Sequence, residues 1–176
     1  MAASATFFAG SIFFTLAAFI QLAMSGRRPP RGALFAGAAA ADWWAAAIQF
    51  AGTLWFNLST AVVLIASLTS GTPTGWRPDA WGSIAFLVSS VLAMVAAART
   101  HELWDPLART AHGTVLNLIG SIAFGISAVG AYVIPATGEL RNELWANAGT
   151  FLGALCFLVA AILSRRNIAP DGAVHP

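Results

Sequence analysis

Five uninterrupted apolar stretches set the limits on this fold. They run over about 5–24, 43–68, 80–98, 114–134 and 144–163, and no Asp, Glu, Lys, Arg or His lies inside any of them. Each is close to the roughly 20 residues that a helix needs to cross a bilayer core. Between them stand "SGRRPPRG", "SGTPTGWRPD", "RTHELWDPLARTAHG" and "PATGELRNE", where Pro, Gly and charge break helices. Hydrophobic residues make up 58% of the chain and charged residues 9%, whereas soluble domains carry roughly 25% charged residues. A water-soluble fold of 176 residues has too little interior to hide so much apolar surface. The sequence therefore predicts an all-α integral membrane protein. It is a single transmembrane domain over residues 1–176, built as a five-helix antiparallel bundle.

The charges orient that bundle. All nine basic residues are Arg. Arg27, Arg28, Arg31, Arg99, Arg109, Arg165 and Arg166 fall in one set of alternate gaps, and Arg77 and Arg141 in the other. Cytoplasmic loops carry the excess of basic residues, so the sequence places the N-terminus outside and the C-terminus inside. The first apolar stretch has its positive residues after it rather than before it. That order suits a retained first span rather than a secretory signal. Trp43, Trp44, Trp76, Trp81 and Trp145 fall at stretch boundaries, where indole rings favour the lipid–water interface. The segment 32–41, "GALFAGAAAA", is too short to cross and reads as an interfacial helix or an extension of the second span. The tail 167–176 reads as disordered. The expected location is the inner (plasma) membrane of a cell, as a multi-pass protein.

One pattern recurs in every span. A Gly followed four residues later by Phe occurs as Gly10/Phe14, Gly52/Phe56, Gly82/Phe86, Gly120/Phe124 and Gly153/Phe157, with "GSIAF" repeated at 82–86 and 120–124. The 16 glycines and 12 phenylalanines of the chain predict about one such spacing by chance. Ser, Thr or Ala stands seven and eight residues after each of these glycines. On a helix these offsets share one side, so each span carries a stripe of Gly, Phe and small residues. Lipid tails are as apolar as Leu, so helices in a bilayer associate through close approach and dispersion, which small residues permit. The expected role of the ten residues is packing, with a Phe of one helix entering the notch beside a neighbour's Gly.

These stretches also carry a resemblance. The patterns "QFxGT" at Gln49–Thr53, "WRPDxxGSxxFLVSS" at Trp76–Ser90 and "GTFLGALCFLV" at Gly149–Val159 are similar to those of bacterial multi-pass membrane proteins that carry the YrhK-like domain. The resemblance covers most of 40–164 and implies a membrane scaffold. It carries over no catalytic residue.

Candidate chemistry is sparse. The deep polar side chains are amides and hydroxyls, with Gln49, Asn57, Asn117 and Asn147 foremost and Gln21 beside them. They read as interhelical hydrogen-bonding groups or, alternatively, as the lining of a polar cavity for a small solute. Asp42, beside Trp43, reads as a helix cap. His101, Glu102 and His112 share one gap but lack the spacing of a metal motif. Arg77, Asp79, Glu139 and Arg141 lie in the two outer gaps as a candidate charge closure, with Asp79 and Glu139 suited to helix N-termini. Cys156 lies alone in an apolar run, and no Lys exists to form a Schiff base. A net charge of +2 without a basic stripe excludes nucleic acid as a partner. The sequence thus predicts a non-enzymatic scaffold or interaction protein without cofactor or metal. Its expected partners are membrane lipid, further copies of itself or other membrane proteins. The alternatives are an oligomeric conduit for small solutes or ions and, behind it, a haem- or metal-binding membrane protein.

Overall fold

The computed structural model describes residues 2–26, 37–69, 76–104 and 109–165. These residues form five α-helices: α1 Ala2–Met24, α2 Ala38–Thr69, α3 Trp76–Arg99, α4 Arg109–Gly130 and α5 Glu143–Arg165. A 3-10 turn, Glu102–Trp104, lies between α3 and α4. All five α-helices are long and apolar enough to cross a membrane. Each packs on the next in chain order. Among the described residues, no Cα of α1 comes within 8 Å of a Cα of α5.

The helix ends have local causes. α2 starts earlier than the apolar run beginning at residue 43. Ala38–Ala41 are the strongest of helix formers, and Ala40 and Ala41 are buried. Asp42 therefore stands inside the helix and does not cap it. Residues 27–36, which hold the first half of the expected interfacial helix, lie outside the described residues, as does the tail 167–176. α3 ends through His101, whose φ of 61° turns the chain into the 3-10 segment.

α4 stops at Gly130, short of residue 134, because the chain then doubles back. The amide of Asn142 donates to Gly130 O at 3.0 Å, Arg141 to Tyr132 O at 2.7 Å, and Ile134 to Glu139 O at 2.9 Å. Gly138, at φ 72°, makes the turn. Asn142 then caps α5, its Oδ1 accepting the amide of Trp145 at 3.0 Å. Glu143 is the acid in the first turn of α5, while Glu139 stays exposed in the loop. Asp79 does occupy the first turn of α3.

The outside of the bundle is apolar. Phe13 and Phe151 are each 72% exposed, and Ile20, Leu158 and Ile65 are all more than half exposed. Water penalises such a surface, whereas a bilayer does not. The five helices and this surface are compatible with a multi-pass membrane protein.

Candidate functional site

At the centre, the five pentad phenylalanines meet. Phe86, Phe124 and Phe157 are buried, and Phe14 and Phe56 pack against them. The Phe14 ring centroid lies 5.5 Å from that of Phe86 and 5.2 Å from that of Phe157, both edge-on. Phe56 meets Phe124 edge-on at 5.4 Å, and Phe86 meets Phe124 at 5.6 Å. Edge-to-face and tilted geometry sets positive ring edges against negative faces. One ring from each helix thus fills the axis of the bundle.

The glycines of the same pentads behave unequally. A Cβ on Gly52 would lie 2.8 Å from the Phe86 ring, and one on Gly153 would lie 2.7 Å from the Phe124 ring. On Gly120 it would meet Phe157 at 3.2 Å and the Cβ of Cys156 at 3.1 Å. Three notches therefore hold a ring. Gly82 instead faces backbone, with Gly52 O at 3.1 Å, and Gly10 has nothing within 4 Å. Two glycines outside the pentads are approached as closely, and by backbone. A Cβ on Gly130 would lie 2.6 Å from Ala146 N, and one on Gly149 would lie 2.7 Å from Ala123 O.

A set of hydroxyl joints supplements the rings. Ser83 donates to Phe124 O at 3.2 Å, and Ser121 donates to Phe86 O at 3.1 Å, so α3 and α4 are joined reciprocally. Each serine follows its pentad Gly, and each acceptor is the pentad Phe of the facing helix. Ser89 donates to Ala45 O at 2.8 Å and Ser127 to Ala146 O at 2.7 Å. Both serines stand seven residues after their own pentad Gly, and both acceptors seven before the facing one. The α2–α3 joint is therefore repeated in α4–α5. Ser90 and Ser121 lie 2.7 Å apart, as do Ser127 and Thr150, and Ser11 and Thr60 are 2.9 Å apart. The signal for these joints was present in the sequence as Ser and Thr at fixed offsets. Their acceptors were not, because backbone carbonyls carry no residue identity.

The four candidate cavity residues are not brought together. Gln49 is buried on α2, Asn57 and Asn117 are partly buried on α2 and α4, and Asn147 is exposed on α5. Asn117 takes part through its backbone carbonyl, which accepts Ser121 at 2.9 Å and Ser90 at 3.3 Å. The Oδ1 of Asn57 is buried without a hydrogen-bond partner. Gln21 is exposed. An apolar surface groove of about 400 Å³ is lined by Leu87, Ile122, Gly125, Ile126, Val129 and Trp145, and none of the four amides lines it.

The charged candidates are also dispersed. His101 and His112 are exposed, and Glu102 is partly buried. Among the described residues, no three His, Cys, Asp or Glu side chains gather as a metal site would require. Among the same residues, Arg77, Asp79, Glu139 and Arg141 share no ion pair. Cys156 is buried as a free thiol against Gly120. Ring core and hydroxyl joints together define an all-helical packing module compatible with a bilayer. No family model, curated protein or solved structure matches the chain.

Proposed function

We propose that this chain is a non-enzymatic scaffold of the inner (plasma) membrane of a bacterial cell, acting by association with itself or with other membrane proteins. It forms an antiparallel five-helix transmembrane bundle with its N-terminus outside and its C-terminus inside. It is related to the YrhK-like group through the motifs at Trp76–Ser90 and Gly149–Val159. The observation that carries the scaffold reading is the filled axis. Five phenylalanine rings meet there, and the buried serines around them bond to helix carbonyls. Dispersion and interhelical hydrogen bonds are what hold helices together where apolar burial gives no drive. The antiparallel arrangement is supported by the pairings of Ala45 with Ser89 and Gly52 with Gly82, and of Gly120 with Gly153 and Ser127 with Ala146. Sidedness rests on the distribution of Arg across the gaps.

Proteoliposomes test the scaffold reading. Vesicles carrying the purified chain should pass ions and small neutral solutes no faster than empty vesicles. Cysteines placed at Phe13 or Phe151 should crosslink into discrete adducts in native membranes. Flux above the empty-vesicle rate would replace the scaffold by the conduit. Cysteine accessibility at Pro30, Thr74, Ala108 and Glu139 tests topology. Positions 74 and 139 should label from outside, and positions 30 and 108 only after permeabilisation. The reverse order would invert the assignment.

A further inference from the structure

We infer that α1 is a lateral gate on the phenylalanine core, pivoting at Gly26 and latched by Phe14. α1 is the helix least embedded in the bundle: of its residues, only Ser11 and Ala18 are buried. Its backbone comes near that of α2 alone and, among the described residues, stays more than 8 Å from those of α3, α4 and α5, which it reaches through Phe14. Across that open side, the Phe14–Phe157 ring pair at 5.2 Å is the aromatic bridge. Above and below the bridge the seam is bare. Gly10 and Ala17 flank Phe14 on one side of α1, and Ala154 and Ala161 flank Phe157 on one side of α5. All four are exposed, and nothing lies within 4 Å of the Cβ position of Gly10.

The two ends of α1 are held differently. At its C-terminal end the indole Nε1 of Trp43 donates to Gly26 O at 3.1 Å. Gly26 itself sits at φ 119°, a backbone state that L side chains rarely adopt. These two features make a clasp and a hinge. Towards the N-terminus, the Ser11–Thr60 hydroxyl pair joins α1 to α2. Both hydroxyls keep an acceptor on their own helix if that bond opens. Ser11 has Phe8 O at 2.7 Å, and Thr60 has Phe56 O at 3.0 Å. Opening therefore leaves neither of these hydroxyls unpaired, and an unpaired polar group is the usual penalty for parting helices in lipid. The remaining phenylalanines stay in mutual contact after Phe14 leaves, through Phe86–Phe124, Phe124–Phe157 and Phe56–Phe124. The core is thus closed by α1 without depending on it.

Spin-label distances in nanodiscs test the gate on the full chain. The background is Cys156→Ala, which keeps the Cβ that packs on Gly120. Three label pairs are compared: Thr6→Cys with Leu155→Cys across the gate, Gln21→Cys with Ile162→Cys beside the pivot, and Leu58→Cys with Leu155→Cys as the core reference. All five labelled positions are exposed. The gate pair should show a second, longer distance, while the pivot and core pairs stay narrow. Phe14→Ala should raise the longer population about fivefold, and the milder Phe14→Leu should raise it less, with helical content unchanged in circular dichroism. A gate pair as narrow as the core pair and unmoved by either variant would overturn the inference. So would a pivot pair that spreads as widely as the gate pair. These distances do not depend on sidedness or on scaffold activity, so they fail or hold separately from the functional proposal.

Discussion

The Cβ that Gly153 lacks would fall 2.7 Å from the ring of Phe124. The ring lies where a side chain would otherwise be, and Phe124 is 3% exposed as a result. Across the same helix pair, Phe157 sits over Gly120. Glycine here acts by allowing a neighbour's ring and backbone to approach.

Alanine substitution should therefore rank the glycines by what stands in the notch. Gly130→Ala and Gly149→Ala push a methyl into backbone atoms, which cannot rotate away. They should cost the most, about 2–3 kcal/mol, as overpacked sites do. Gly52→Ala and Gly153→Ala press on a ring and should cost about 1–2 kcal/mol. Gly10→Ala meets open space and should cost nothing. Reversible unfolding in mixed micelles, read by circular dichroism, gives the order.

Ser121 is fully buried and lies within hydrogen-bond reach of Phe86 O, Asn117 O and Ser90. Ser121→Ala should cost about 0.6–1.7 kcal/mol, between the average and the largest value for interhelical hydrogen bonds in lipid. Ser90→Ala should cost less once Ser121 is already Ala. A double-mutant cycle on the two serines measures that coupling, and strict additivity would remove Ser121 from its place as a joint.

Asn57 carries a buried amide oxygen with no partner. An unmade hydrogen bond at a buried acceptor costs about 1–3 kcal/mol. Asn57→Leu removes the acceptor while keeping similar volume, so unfolding should show a protein equally stable or more stable. A clear loss of stability would mean that Asn57 is bonded in the membrane.

Much of this arrangement was legible beforehand. The apolar stretches marked the helices, because a bilayer demands both length and apolarity. The spacing of Gly10, Phe14 and their equivalents marked the rings that meet. What could not be read was which ring enters which notch. Gly82 and Gly52 approach each other through backbone, so Phe56 points to Phe124 rather than into the notch of Gly82. Gly10 belongs to the pattern but lies open, because among the described residues the backbone of α1 comes near that of α2 alone. Gly130 and Gly149 press on facing backbone without a Phe four residues on, so no pattern announced them. The amides at 49, 57, 117 and 147 share a residue type but not a location, since convergence depends on helix rotation and not on depth.

The central claim is that a glycine notch and the ring that fills it act as one unit. A double-mutant cycle on Gly153→Ala and Phe124→Leu, read by reversible unfolding, tests it most directly. The smaller side chain at 124 makes room for the methyl at 153, so the pair should be less damaging than the sum of its parts by about 1 kcal/mol. Costs that simply add would show that ring and notch do not sense each other, and would contradict the account.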